Sequence, residues 1–255
     1  MEASRMGELL TVAKDAAVKA GHKILEVYHS DDFDVELKGD NSPLTRADKA
    51  AHDIIQQALE KLDIPILSEE GREIPYAERS EWEYLWVVDP LDGTKEFIKR
   101  NGEFTVNIAL VHNGSPVLGV VYAPVLDKLY AGAAGLGASL RVGQDERVLT
   151  KKQDLDLSKE GLRVVASRSH LNDETKAFLE TLINPKVVSM GSSLKFMMLA
   201  EDLADIYPRF APTMEWDTAA AHAILKVLGS DLSDMAGNSL TYNKINLLNP
   251  YFRAT

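Results

Sequence analysis

The chain of 255 residues is long enough for one large domain or two small ones, and its formal net charge is −11. With 45% apolar and 26% charged residues, its composition is that of an ordinary soluble globular protein. The negative net charge argues against binding to a nucleic-acid polymer. The lack of cysteine excludes disulfides and fits a cytosolic protein. No apolar run approaches the length of a transmembrane segment.

The first part of the chain alternates helices with a strand that ends in acidic residues. Apolar residues at intervals of three and four predict a helix over 8–28. Thr45, followed three residues later by Asp48, has the pattern of a capping box and predicts the start of a second helix. A short strand over 64–67 is then expected to run directly into the acidic turn 68–71.

The middle of the chain has the pattern of an antiparallel sheet. A run of strand formers, 85–88, ends in Asp-Pro, and alternating apolar residues predict strands over 104–110 and 117–122. Between these two strands, Asn113-Gly114 is a hairpin signal. Shorter strands are expected at 128–133 and 139–142. This arrangement argues against a purely parallel, doubly wound sheet and predicts a mixed fold of the α/β (α+β) class with layered helices and sheets.

A charged segment poor in apolar residues, 151–161, predicts a junction between two subdomains. We expect an N-terminal α+β subdomain over 1–155 and a C-terminal α/β subdomain over 156–255. The second half is expected to contain strands at 162–166, 186–190 and 204–209 and helices at 173–183, 193–203 and 216–228.

Two carboxylates, Asp89 and Asp92, leave the predicted strand 85–88 together with Gly93 and Thr94. A tight turn after the strand would point both carboxylates at one spot, where they repel each other unless a cation lies between them. Oxygen ligands of this kind suit Mg2+. Thr94 stands where a helix could begin, so that its hydroxyl could hold a water molecule and nearby N–H groups a phosphate oxygen. Alternatively, Thr94 serves only as a helix cap.

Other acidic residues also stand at the ends of predicted elements. For any single one, a polar turn is the simpler explanation. The occurrence of Glu69, Asp89 and Asp92 together at two strand ends instead favours a metal site. Asp217 begins a predicted helix, where the helix dipole alone would explain it, although Trp216 beside it would shelter a metal ligand from water. Two Mg2+ ions about 4 Å apart could then share Asp89 and clamp a phosphate ester.

The acidic loop differs from the loop of haloacid-dehalogenase-type phosphatases, in which a nucleophilic aspartate stands in Asp-x-Asp-Gly-Thr. Here the spacing is one residue longer, and Pro90 follows the first aspartate. Both differences favour attack by metal-activated water over an aspartyl-phosphate intermediate.

The motifs Asp89-Pro90-Leu91-Asp92-Gly93-Thr94 and Trp216-Asp217-x-Ala219-Ala220 resemble the two signatures of the inositol monophosphatase superfamily of Mg2+-dependent, lithium-sensitive phosphatases. Thr45-x-Ala47-Asp48 and Glu69-Glu70 also stand in that superfamily's order, so the resemblance spans nearly the whole chain. It implies a layered αβαβα sandwich with mixed and antiparallel sheets. One departure is Ala221, where the family usually has glycine.

Further stretches resemble the bacterial 3'(2'),5'-bisphosphate nucleotidases of the CysQ type, a branch of this superfamily. They are 40–45, 167–170, 191–196, 204–209, 212–217 and 246–250. This closer likeness implies hydrolysis of the 3'-phosphate of adenosine 3',5'-bisphosphate (PAP) to AMP and phosphate, with action on its sulfated precursor (PAPS), in sulfur assimilation. The alternatives are an inositol monophosphatase or a sugar-bisphosphate phosphatase on the same metal core, and a catalytically silent binding protein.

The resemblance also implies a role for individual residues and a cofactor of two Mg2+ ions, with a third, looser ion near Glu69 and Asp48. Asp48 and Thr94 would be catalytic, orienting and deprotonating the attacking water. The implied metal ligands are Glu69, Asp89, the carbonyl of Leu91, Asp92 and Asp217. The implied substrate contacts are Glu69, Leu91, Asp92, Gly93, Thr94, His170, Ser192, Lys195, Arg209 and Asp217.

The implied partner is a small nucleotide bisphosphate, and the implied location is the cytoplasm. Bacterial relatives are described as peripheral proteins on the cytoplasmic face of the inner membrane, but no anchor is visible in this sequence. The sequence leaves that association open, and likewise the formation of a homodimer.

Overall fold

The computed structural model describes residues 1–30, 45–150, 155–166 and 171–255, together with the backbone of two short strands at 36–37 and 43–44. The helices are α1 (Ala3–Tyr28), α2 (Arg46–Leu59), α3 (Tyr76–Arg79), α4 (Thr94–Ile98), α5 (Asp173–Glu180), α6 (Leu194–Ala200) and α7 (Glu215–Val227), with 3-10 turns at Glu60–Leu62 and Pro124–Leu126. The strands are β1 (Glu36–Leu37), β2 (Pro43–Leu44), β3 (Ile66–Ser68), β4 (Tyr84–Asp92), β5 (Thr105–His112), β6 (Ser115–Ala123), β7 (Lys128–Ala133), β8 (Gly137–Val142), β9 (Asp145–Val148), β10 (Arg163–Val165), β11 (Lys186–Val188), β12 (Tyr207–Arg209), β13 (Leu232–Asp234) and β14 (Phe252–Ala254).

A central sheet of seven strands, in the order β3-β4-β5-β6-β7-β8-β9, carries the candidate site at one of its edges. Only β3 and β4 run parallel, while the other neighbours are antiparallel. The predicted hairpin is confirmed, because Asn113 and Gly114 connect β5 to β6 with φ of 48° and 77°, as a tight hairpin turn requires. The mixed fold class is therefore confirmed.

Alternate residues of the central sheet enter two different cores, since neighbouring side chains of a strand point to opposite faces. Trp86 and Val88 face the core that α1 and α2 cover. Leu85 and Val87 face the core that α6 and α7 cover. Strand β4, which carries the candidate metal ligands Asp89, Leu91 and Asp92, is therefore buried on both faces and firmly held.

Helix α7 approaches the sheet closely because Gly119 on β6 has no side chain. A Cβ atom at Gly119 would lie 2.0 Å from the carbonyl oxygen of Ala220 and 3.0 Å from the Cβ of Ala223. Ala221, which departs from the family pattern, is buried in the same helix, and α7 runs unbroken through it. The added methyl group therefore leaves the helix that carries Asp217 intact.

Two smaller sheets lie beyond α6 and α7. β10 and β11 pair in parallel, β12, β14 and β13 form an antiparallel sheet, and a bridge from Val164 to Ile206 links the two sheets. Phe178 and Leu179 of α5 pack on the outside, against Val164 and Ile206. The order of layers is thus helix, sheet, helix, sheet, helix, as expected. β13 and β14 were not predicted, because three residues are too few to show a period.

The core between the central sheet and α7 draws on both sides of the predicted subdomain junction. It contains Leu85 and Val87 as well as Leu194 and Ile224. Residues 151–154 of the junction lie outside the described residues, and the division into subdomains stays a prediction. None of the described helices is long and apolar enough to cross a membrane.

Candidate active site

A bulge in β4 brings Asp89 and Asp92 to the same place. Asp89 pairs with Asn107 and Asp92 with Thr105, so three steps along β4 match two steps along β5. Such an extra residue re-aims side chains that regular alternation would send to opposite faces. Pro90 lies within the bulge, where its missing N–H breaks no ladder bond. The prediction of a turn directly after Asp89 is wrong, because β4 continues to Asp92, but the expected convergence is confirmed.

Two further predicted ligands reach this place from distant parts of the chain. Asp217 lies in the first turn of α7, and one carboxylate oxygen each of Asp89, Asp92 and Asp217 lie within 4.8 Å of one another. Glu69 follows β3, the parallel neighbour of β4, and its N–H donates to the carbonyl of Val88 at 3.1 Å. The Glu69 side chain is hydrogen-bonded to Asp89. The structure thus brings four predicted carboxylate ligands together.

The crowding of these carboxylates is electrostatically unfavourable. Burial, and then the charges of Glu69, Asp92 and Asp217, raise the pKa of Asp89 well above its ordinary value. Although Asp217 keeps some exposure to a neighbouring cavity, burial and the charge of Asp92 raise its pKa to about 8. The N–H of Met214 and the charge of Arg209 oppose this shift only in part. Divalent cations would relieve the repulsion, and an all-oxygen donor set is what Mg2+ prefers. The residues present therefore fit Mg2+.

We expect the metal-free protein to lose stability as the pH rises from about 4, near the ordinary aspartate pKa, to about 8, the pKa of Asp217. In this window the folded state holds protons that the unfolded chain has released, so the free energy of unfolding falls with rising pH. Added Mg2+ competes with those protons, so its stabilising effect should grow with pH.

Thermal unfolding with Mg2+ or with a chelator, measured across this pH range, tests the expectation. The Asp217→Asn variant lacks one of the two carboxyls with a raised pKa and serves as the control, with a flatter dependence on pH. An effect of Mg2+ on the unfolding temperature that shrinks with rising pH would contradict the account.

Thr94 and Asp48 lie next to each other at the edge of the carboxylate cluster. The Thr94 Oγ1 atom is 3.3 Å from Asp48 Oδ1 and 3.3 Å from the Leu91 carbonyl oxygen. Gly93 takes the cap position of α4 with φ of 94°, so the alternative in which Thr94 is only a cap is wrong. Asp48 is fixed in turn, because its Oδ2 accepts the N–H of Thr45 at 2.7 Å in the predicted capping box.

A cavity of about 560 Å³ opens beside the carboxylates. Both predicted cationic contacts, Lys195 and Arg209, face it. Lys195 Nζ donates to the Ser192 carbonyl at 3.2 Å, and Arg209 Nη2 donates to the Pro212 carbonyl at 3.1 Å. Each cation keeps further N–H groups for a ligand. The predicted site residues that line the cavity are Asp92, Gly93, Ser192, Lys195, Arg209 and Asp217.

Ser192 lies between the cavity and the carboxylate cluster, and its predicted role as a substrate contact stays a prediction. It lines the cavity, but its Oγ donates to Asp92 Oδ2 at 2.6 Å. Sequence reasoning missed the other polar groups around this carboxylate, namely Thr105, Asn107 and Ser193. Thr105 and Asn107 stand two residues apart in an otherwise apolar strand, a signal that could have placed them on one face.

No histidine is among the described residues of this centre. His170, a predicted substrate contact, lies outside the described residues, and its role stays a prediction. His222 was not singled out from the sequence. It is fully buried, within 2.6 Å of Asp231 and 2.9 Å of the Tyr242 hydroxyl, and burial lowers its pKa. These contacts tie α7 to the chain that follows it.

The layered αβαβα fold, with four carboxylates converging on one edge of its central sheet, defines a class of proteins built to hold divalent cations. Comparison with known families places the chain within that class. The model of the inositol monophosphatase family matches residues 5–251. The chain therefore belongs to the inositol monophosphatase family, which confirms the resemblance of its motifs.

Curated relatives and solved structures agree with this assignment. The chain is 46% identical over 246 residues to the 3'(2'),5'-bisphosphate nucleotidase CysQ of Escherichia coli K12, covering 94% of this chain and 96% of the relative. It is similar to a crystal structure of CysQ from Bacteroides thetaiotaomicron, with a TM-score of 0.86 and 45% identity, over 97% of this chain and 96% of that one. An inositol monophosphatase from Anabaena is similar at a TM-score of 0.73 and 26% identity, over 99% and 91% of the two chains.

Proposed function

We propose that this protein is a Mg2+-dependent 3'(2'),5'-bisphosphate nucleotidase that hydrolyses the 3'-phosphate of PAP to give AMP and phosphate. The observation that carries the proposal is the position of Lys195 and Arg209, which line the same cavity as Asp92 and Asp217. A cavity lined both by carboxylates for cations and by basic side chains matches a substrate with two phosphates. The names of the CysQ relatives support the proposal.

The carboxylate cluster would hold the metal ions. Glu69, Asp89 and the Leu91 carbonyl would bind one Mg2+, and Asp89, Asp92 and Asp217 the second; a third, looser ion would lie near Glu69 and Asp48. When bound, the ions would neutralise charge on the phosphate and lower the pKa of a water molecule at the site. Asp89 is shared in this assignment, in agreement with the convergence of its neighbours upon it.

Thr94 and Asp48 would handle the proton of the attacking water. The Thr94 hydroxyl can donate its proton to Asp48 Oδ1, 3.3 Å away, while its lone pairs accept a hydrogen bond from the water. A hydroxyl is a poor base on its own, so the carboxylate behind it would be the final acceptor. Because Thr45 already holds Asp48 Oδ2, the remaining oxygen points at Thr94 in a fixed orientation.

The rest of the substrate would be bound along the cavity. Gly93 and Thr94 would donate backbone N–H groups to the scissile phosphate at the start of α4. Lys195 and Arg209 would neutralise the 5'-phosphate, with Ser192 beside them and His170 near the base. A 5'-phosphosulfate is also anionic, so we propose PAPS as a second substrate, cleaved to adenosine 5'-phosphosulfate.

A substrate panel tests this proposal. With Mg2+ present, kcat/KM is measured for PAP, PAPS, 3'-AMP, inositol 1-phosphate and fructose 1,6-bisphosphate. We expect PAP to be the best substrate and 3'-AMP, which lacks the second phosphate, to be poorer. A preference for inositol 1-phosphate or the sugar bisphosphate over PAP would refute the proposal. The same preparation treated with a chelator controls for metal-independent activity.

A further inference from the structure

Ser193 joins three segments that meet behind the carboxylate cluster. Its N–H donates to Asp92 Oδ2 at 2.6 Å, and its Oγ donates to the backbone carbonyl of Asp217 at 2.9 Å. The same Oγ accepts a hydrogen bond from Asn107 Nδ2 at 2.9 Å. Ser193 is 1% exposed and Asn107 1% exposed, so water does not compete for these bonds. One residue thus contacts both the side chain of Asp92 and the backbone of Asp217.

These bonds leave the Ser193 hydroxyl no free proton for a substrate. A hydroxyl has a single proton, and here the Asp217 carbonyl accepts it. The amide of Asn107, on β5, donates to the same hydroxyl oxygen. The hydroxyl is therefore occupied between the central sheet and the first turn of α7, and its contribution can only be to hold these elements in place.

We propose that Ser193 is a positioning residue that fixes the separation of Asp92 and Asp217 before cations bind. Its N–H occupies one oxygen of Asp92 and leaves the other for a cation, while its hydroxyl holds the backbone from which the Asp217 side chain extends. Ser192 also holds Asp92, and the Met214 N–H also holds Asp217, but Ser193 bonds to both residues. Without this bridge the mutual repulsion of the carboxylates would widen their separation, and the binding of cations would have to reduce it again. The inference rests on the proposed function of this centre as a Mg2+ site.

Replacing Ser193 by alanine removes the hydroxyl and keeps the N–H bond to Asp92. Because loss of a hydrogen-bond partner behind a metal ligand costs about 10- to 100-fold in metal affinity, we expect Mg2+ to bind Ser193→Ala at least about 10-fold more weakly. The measurement is calorimetric titration of the metal-free protein with Mg2+ alone. No substrate is present, so the result stands apart from whether the protein hydrolyses PAP.

Two further variants separate positioning from general stability. Ser193→Thr keeps a hydroxyl and should restore much of the affinity. Tyr130→Phe removes another buried hydroxyl, which donates to Glu201 at a distance of 2.6 Å and does not contact the carboxylate cluster. This variant should lower the unfolding temperature without changing Mg2+ binding.

If the alanine variant does not fold, Ser193→Cys tests the positioning role, because a thiol fills the space of the hydroxyl but is only a weak hydrogen-bond donor. Weakened Mg2+ binding by Ser193→Cys, with unchanged binding by Tyr130→Phe, supports the proposal. Binding by Ser193→Ala or Ser193→Cys within about twofold of the unmodified protein overturns it, because an outer partner that positions a ligand changes affinity by more than that.

Discussion

Replacing Asp89 by asparagine is expected to abolish Mg2+-dependent turnover and, at the same time, to make the metal-free protein more resistant to heat. The two effects have one cause. Asp89 is buried, and its charge is opposed by burial and by Glu69, Asp92 and Asp217, so at neutral pH the folded protein without cations loses stability whether Asp89 keeps its charge or takes up a proton. An uncharged amide removes that repulsion. It also removes the oxygen that two ions would share.

The size of the catalytic loss follows from the position of Asp89 in the metal centre. Loss of a residue that only supports a ligand lowers activity about 10- to 100-fold, so loss of a shared ligand should lower kcat by more than about 100-fold. Steady-state kinetics with PAP and thermal unfolding in chelator measure the two effects. Asp145→Asn removes an exposed carboxylate from the edge strand β9 and should change neither.

Retention of substantial Mg2+-dependent activity by Asp89→Asn would exclude a shared ligand at this position. A lower unfolding temperature of the metal-free variant would contradict the electrostatic part of the account, since it would mean that the charged carboxylate stabilises the fold.

Replacing Lys195 by alanine is expected to impair hydrolysis of PAP selectively. Lys195 lines the cavity with Arg209, and its Nζ donates to the neutral backbone carbonyl of Ser192, which leaves its other N–H groups for a ligand. A charge-assisted hydrogen bond contributes about 1.5–3 kcal/mol, so kcat/KM for PAP should fall by about 10- to 100-fold. Hydrolysis of 3'-AMP, which has no 5'-phosphate, should change little.

The comparison of the two substrates separates loss of a phosphate contact from damage to the metal centre. Lys23→Ala, which removes an exposed lysine of α1 paired with Glu26, reproduces the change in net charge away from the cavity and should affect neither substrate. An equal loss for PAP and 3'-AMP in Lys195→Ala would mean that this lysine supports the centre as a whole and does not select for the second phosphate.

Much of the fold was predictable from the sequence because its longer elements are strongly periodic. α1, α7 and the strands from β4 to β8 lie within a few residues of their predicted positions. The edge strand β9 was missed because its residues 145–148 are all exposed and show no apolar alternation. Pairing with β8 makes this segment a strand, and such pairing leaves little trace in a local pattern.

The carboxylate cluster was predictable because its members stand in motifs at the ends of elements. The way in which the cluster forms was not. A tight turn after Asp89 was expected, whereas a bulge against Asn107 and Thr105 produces the convergence. Ser193 was missed because Asp92 on β4 is 101 residues away and Asp217 on α7 is 24 residues away, and no local spacing connects them.

The most direct test of the central claim is the identity of the products formed from PAP with Mg2+. The reaction is followed by chromatography of the nucleotides together with release of inorganic phosphate. The account predicts adenosine 5'-monophosphate and phosphate in equal amounts, because the 3'-phosphate lies at the carboxylates while Lys195 and Arg209 hold the 5'-phosphate. Formation of adenosine 3'-monophosphate, or no hydrolysis of PAP by protein that hydrolyses inositol 1-phosphate, would contradict it.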